Sequence, residues 1–371
     1  MTSSFWNGRR VFITGHTGFM GGWLSERMSA LGAEVTGYAL PAPTDPSFFE
    51  ATRLWQRVPT VTADIRDLDR LSAIMASTRA EIVFHLAAQP LVRRAYEEPI
   101  ETFSTNTMGT INVLESIRRS GKVAAAVIVT TDKVYDNQEW PWGYRETDAL
   151  GGREPYGVSK ACAELAVEAY ARSYFGDSRS GPGIATIRAG NIVGGGDWAA
   201  DRLVPDAVRA FFRGSPLEIR NPDAVRPWQH VLEPVTGMIS LAERLTEAPH
   251  KVNGGWNFGP EEENCKPVAW VADRLAAAFG DHAFWAATGD AGPYEAKLLT
   301  LSSAKAKSQL GWQNYWSAED AVVRSAEWYQ AYREGVDMAA FTEFQINSYV
   351  KGMNRGKQHS TKVPVQGRAV A

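Results

Sequence analysis

Two pairs of side chains in this chain could do chemistry together: Tyr156 with Lys160, and Asp132 with Lys133. Tyr156 and Lys160 stand four residues apart, a spacing that puts both on one face of a helix. An ammonium beside a phenol, with a cationic nicotinamide close by, favours the phenolate and lowers the tyrosine pKa from about 10. Such a phenolate takes the proton from a hydroxyl while the carbon beneath it gives up hydride. Asp132-Lys133 closes the apolar run 124–131, an acid and a base where elimination of water would need them. Thr131 falls where a hydroxyl partner for the tyrosine is expected.

Elements must hold these groups. Arg10 to Thr14 reads as a short buried strand that runs into Gly15-His16-Thr17-Gly18-Phe19-Met20-Gly21, and residues 18–31 read as a helix ended by Gly32. Glycines there allow a tight turn and a close backbone approach to a diphosphate, and the helix N-terminus adds N–H donors. The spacing predicts a dinucleotide site. Further strands are expected at 34–38, 58–63, 82–86 and 124–131, with helices at 68–76 and about 105–116 between them. Strands alternating with helices indicate a doubly wound, mostly parallel α/β sheet of Rossmann-like type. The second strand ends Gly37-Tyr38-Ala39-Leu40-Pro41, with neither an acid for ribose hydroxyls nor an arginine for a 2′-phosphate. NAD and NADP therefore stay open at this loop. Asp64-Ile65, after the third strand, is placed to meet an adenine.

Beyond residue 188 the character changes, with loop signals at 194–197 and 220–223 and frequent tryptophans. The reading is a cofactor domain over 1–188 and a smaller, discontinuous substrate domain over 189–230 and 260–350. Residues 231–259 are expected to pack back on the first domain. From about Lys351 apolar periodicity fades, and 351–371 reads as a mobile tail.

The composition narrows the class. The chain has 371 residues, a formal net charge of -3 and no basic footprint for nucleic acid. Its two cysteines, Cys162 and Cys265, argue against a disulfide framework. The polar start lacks a signal-peptide core, and no apolar run approaches the roughly 20 residues that span a bilayer. A soluble, cytoplasmic protein is expected. His16, His85 and His230 show no zinc-like spacing, so no metal is expected.

Gly15-x-x-Gly18-x-x-Gly21, Leu86-Ala-Ala-Gln89, Asn106-Thr-Met-Gly-Thr110, Thr131-Asp-Lys133 and Tyr156-x-x-x-Lys160 together resemble the extended short-chain dehydrogenase/reductases. Three longer strings resemble the CDP-sugar branch of their nucleotide-sugar dehydratases: residues 15–23, 131–135 and 189–198. The resemblance implies a closed redox cycle on CDP-glucose with bound NAD. Tyr156 would deprotonate the 4-hydroxyl during oxidation, and the 4-ketone would acidify carbon 5. Asp132 would protonate the departing 6-hydroxyl before reduction at carbon 6. The dTDP-glucose relatives carry Asp-Glu where this chain has Asp132-Lys133. Lys133 is then either a neutral base at carbon 5 or a cation stabilising the enolate.

The resemblance further assigns the cofactor to Gly15, Thr17, Gly18, Phe19, Met20, Gly21, Asp64, Ile65, Leu86, Ala87, Ala88, Asn106, Tyr156 and Lys160. It assigns the substrate to Gln89, Asn191, Arg202, Leu203, Arg226 and Tyr294. It also implies a homodimer or homotetramer. A 4-epimerase would use Tyr156 and Lys160 without Asp132-Lys133, and is the competing reading.

Overall fold

The computed structural model describes residues 3–176, 181–288 and 296–360. Its centre is a seven-stranded sheet: β1 (Arg10–Thr14), β2 (Glu34–Ala39), β3 (Thr60–Thr62), β4 (Ile82–His85), β5 (Ala125–Val129), β6 (Gly183–Ala189) and β7 (Gly254–Phe258). The order is β7-β6-β5-β4-β1-β2-β3, with every neighbouring pair parallel. β4, β6 and most of β1 and β5 are buried, as strands covered on both faces must be. The order reverses between β1 and β4, and a parallel sheet opens its binding crevice at such a point.

On one face α2 (Leu68–Ser77), α3 (Gly109–Ser120) and α4 (Pro155–Tyr170) bury Leu71, Met75, Val113, Leu114, Ile117 and Val167 against Phe12, Val83, Ala126 and Ile128. On the other, α1 (Phe19–Ala30) and α6 (Leu232–Glu247) cover the sheet with Trp23, Leu24, Val235 and Ile239. α5 (Leu203–Phe212), which precedes α6 in the chain, joins small strand pairs beyond the sheet's carboxyl edge. These pairs are Leu217–Ile219 with Trp285–Ala287, and Val225–Pro227 with Cys265–Pro267. α7 (Val268–Phe279), α8 (Ala318–Arg333) and α9 (Met338–Ser360) complete the chain.

Most boundaries lie within a residue or two of those read from the sequence, and three differ. The helix expected at 105–116 begins at Pro99, runs through a wider π turn at Ser104–Met108, and continues as α3 to Ser120. Proline at the first position and Gly121, at φ +57°, set its true ends. β3 shrinks to three residues because an edge strand pairs on one side only. The tail expected from Lys351 is helical to Ser360, because α9 continues there; residues 361–371 lie outside those described.

Candidate active site

The carboxyl ends of β1, β4, β5 and β6 open into one cleft of about 1110 Å³. The glycine loop forms one wall. Gly15 has φ +76°, and a Cβ there would lie 2.6 Å from the Ala87 nitrogen, so only glycine lets this turn meet the β4 end. Gly18 donates to the Gly15 carbonyl (3.1 Å) and begins α1 without a side-chain cap. The first-turn N–H groups of α1 are therefore not taken by a capping side chain. Gly15, Thr17, Gly18, Phe19, Met20, Gly21, Asp64, Ile65, Leu86, Ala87 and Ala88 all line the cleft. The Asp64 carboxylate is engaged by Arg66, which holds its pKa below the usual range. Asp45, in the loop after β2, also lines the cleft. That acid lies too far beyond the strand tip to be found from the usual spacing.

Tyr156 and Lys160 share one face of α4, whose N-terminus is capped by Glu154 through the Tyr156 and Gly157 amides (both 2.7 Å). Lys160 Nζ donates to the Val129 carbonyl at 2.9 Å. Thr131 donates to the Asp132 carboxylate at 3.0 Å, and its side chain stands close enough to the Tyr156 phenol to act on it. Thr131 thus lies between the phenol and Asp132. Asp132 is 2% exposed, whereas the Lys133 side chain is 40% exposed with its nitrogen 3.7 Å from Asp132. A Cβ at Gly157 would come within 2.6 Å of the Lys133 carbonyl, so α4 and the Asp132-Lys133 turn are in backbone contact.

The electrostatics differ from the sequence expectation. Burial pushes Tyr156 up to about 12, while the Thr131 hydrogen bond and the Arg202 charge pull against it. Burial brings Lys160 down to about 8, opposed by Glu164. The protein alone therefore raises the tyrosine pKa, where the helical pairing predicts a fall.

Opposite this centre stand Asn191, Arg202, Leu203 and Arg226, all lining the cleft. Arg202 donates to Asp197 at 2.8 Å. Arg226 donates to the Val225 and Lys297 carbonyls (3.0 and 3.3 Å). Two expected contacts change character. Gln89 lines the cleft, but its amide is spent on Leu91 N (2.7 Å), Leu91 O (3.1 Å) and Thr102 (2.9 Å). Asn106 is fully buried behind the wall, joining the Gln89 backbone to Ser159. It braces the cleft wall from behind and is not among the residues that line the cleft. Tyr294 lies outside the described residues. Sequence reasoning missed Glu154, Glu164, Arg220 and the Arg93–Asp201 pair (3.2 Å); all but Glu164 line the cleft. Glu164 continues the four-residue spacing of Tyr156 and Lys160, a signal that was available.

The family model for GDP-mannose 4,6 dehydratase matches residues 12–325. The chain belongs to that family. Among relatives, CDP-glucose 4,6-dehydratase of Salmonella typhimurium is 47% identical over 355 residues, covering 95% of this chain and 99% of the relative. The dTDP-glucose 4,6-dehydratase of Shigella flexneri is 24% identical over 94% of this chain and all of its own length. A solved structure of UDP-glucose 4-epimerase from Thermotoga maritima with UDP-glucose superposes with a TM-score of 0.76 at 22% identity, covering 86% of this chain and 98% of that one. Dehydratases and an epimerase thus share this architecture, and the fold does not separate them.

Within this dehydratase family fold, no group of three or more His, Cys, Asp or Glu side chains among the described residues could hold a metal. No described helix is long and apolar enough to cross a membrane.

Proposed function

We propose that this chain is a hydro-lyase that converts CDP-glucose to CDP-4-keto-6-deoxyglucose and water, with NAD as its resident cofactor. The observation that carries the reading is that Asp132, hydrogen-bonded to Thr131, lines the same cleft as Tyr156 and Lys160. It places a proton donor for elimination beside the hydroxyl chemistry of Tyr156, which a 4-epimerase does not need. The cytidine base rests on the likeness to the Salmonella relative, since other relatives carry other bases.

The residues fit the dinucleotide. Gly15 and Gly18 keep the turn free of side chains, α1 presents its N-terminus, and Ile65, Ala87 and Ala88 offer apolar wall. NAD supplies the hydride acceptor for carbon 4 and the donor for carbon 6, and its nicotinamide brings positive charge. That charge would add to the pull of Thr131 and Arg202 on the Tyr156 phenol. Tyr156 then takes the proton of the 4-hydroxyl. Asp132, in its protonated form, gives its proton to the leaving 6-hydroxyl as carbon 5 loses a proton and the carbon–oxygen bond breaks. Lys133, whose nitrogen lies 3.7 Å from Asp132, either takes the carbon-5 proton in its neutral form or, as a cation, stabilises the enolate while another base takes that proton. Arg202 and Arg226 are assigned to the diphosphate, through planar donors that match its oxygens.

We assign the substrate domain to 189–230 and 260–350, a homodimer or homotetramer as the working form, and a cytoplasmic role in making deoxysugars for lipopolysaccharide. The deciding assay incubates the protein with CDP-, dTDP- and GDP-linked hexoses and follows product mass. Loss of one water from CDP-glucose is expected. Unchanged mass with altered stereochemistry would mean epimerisation.

A further inference from the structure

We infer that Glu164, which lies outside the cleft lining, is a positioning residue for the oxidation step. Its carboxylate pins the helix carrying Tyr156 and Lys160 to two neighbouring strands and sets a negative charge one helical turn beyond Lys160. This rests on the roles proposed above for Tyr156 and Lys160.

Glu164 is 5% exposed and has four donors: Thr130 Oγ1 (2.5 Å), Thr186 Oγ1 (2.6 Å), and Arg188 Nε and Nη2 (2.9 Å each). Two of these residues, Thr130 and Arg188, lead toward the reacting centre. Thr130 lies between Val129, whose carbonyl receives Lys160, and Thr131, the partner of Tyr156. Arg188 donates through Nη1 to the Tyr135 hydroxyl (2.8 Å) and lies over its ring, two residues beyond Lys133. A buried carboxylate with one donor would be costly; with four, two of them from a guanidinium, it is well satisfied.

The charge has a second consequence. Of the titratable groups around Lys160, Glu164 on α4 acts on its charge, and His85 from β4, which burial brings down to about 3, is lowered further by that charge. Arg188 from β6 is engaged by Glu164. Burial lowers the Lys160 pKa to about 8, and Glu164 resists that fall. Removing the Glu164 charge therefore lowers it further, so the ammonium is lost at a lower pH.

A buried Glu–Arg pair could also be structural alone, and the pH profile separates the two roles. Glu164→Gln should move the alkaline limb of turnover about one pH unit downward. The double variant Glu164→Gln/Arg188→Gln leaves no buried charge alone, and should show a smaller shift in the same direction if the single variant folds poorly. Glu164→Asp, which keeps the charge, should hold the limb near its original place. Titration of nitrogen-labelled Lys160 without cofactor reads the same shift in a variant that no longer turns over. An unmoved limb and an unmoved lysine titration in a folded variant overturn the inference. Failure of the unsubstituted protein to dehydrate CDP-glucose would overturn the functional reading instead, and the lysine titration would still test Glu164.

Discussion

Burial works against both members of the Tyr156–Lys160 pair, raising the phenol and lowering the ammonium. Hydroxyl deprotonation by such a phenol depends on charge that the cleft gains when occupied, which couples catalysis to cofactor binding. The Asp132 charge adds to the rise at Tyr156, so removing that charge does not hinder formation of the phenolate. Asp132→Asn should therefore leave oxidation at carbon 4 largely intact and slow water loss by about 10²- to 10⁴-fold, the usual worth of a positioned acid. Single-turnover absorbance should show reduced cofactor accumulating in the variant. Water loss at the original rate would remove the acid role from Asp132.

Among the elements, α4 and the turn after β5 matter most, since each carries half of the proposed chemistry. Their spacing is set by Gly157, which has no room for a side chain against the Lys133 carbonyl. Gly157→Ala should push the helix from the turn by a few tenths of an ångström or more. A misplacement of that order is expected to cut kcat at least ten-fold and to lower the melting temperature by a few degrees, because the clash with backbone outweighs the roughly 1 kcal/mol that alanine gains in a helix. Equal kcat in both proteins would show that the two halves need no fixed spacing. This contact also marks how much the sequence could say. Strand positions were legible because buried parallel strands are continuous apolar runs, and α4 because Tyr156 and Lys160 stand four residues apart. The glycine loop, Thr131, Asp132, Tyr156 and Lys160 likewise fall on one cleft. What sequence spacing does not carry is which way a polar side chain points. Asn106 and Gln89 lie within the expected motifs, yet their amides are consumed by Ser159, Leu91 and Thr102. Nor does spacing report desolvation, which reverses the expected direction at Tyr156.

Across the whole molecule, the substrate side of the cleft is held by helices distant in sequence. On α8 the Tyr329 hydroxyl donates to the Asp197 carbonyl at 2.5 Å, bracing the loop whose Asp197 carboxylate holds Arg202. α9 is fastened in turn to α6, where fully buried Glu233 accepts from the Tyr349 hydroxyl (2.6 Å) and the Trp316 amide (2.8 Å). Burial, the largest influence, raises the Glu233 pKa to about 7, and these hydrogen bonds oppose it only in part. A carboxyl whose folded pKa lies above its unfolded value stabilises the fold fully below the unfolded value, near 4.5, and loses that contribution as pH rises through about 7. The C-terminal clamp should therefore weaken between these limits. Glu233→Gln keeps an acceptor for the backbone amides and removes the titration. Relative to the unsubstituted protein, the variant should gain about 2–3 kcal/mol of unfolding free energy on going from pH 4.5 to pH 8. Denaturant unfolding at several pH values measures the difference, and parallel curves for the two proteins would place the pH sensitivity of the fold elsewhere.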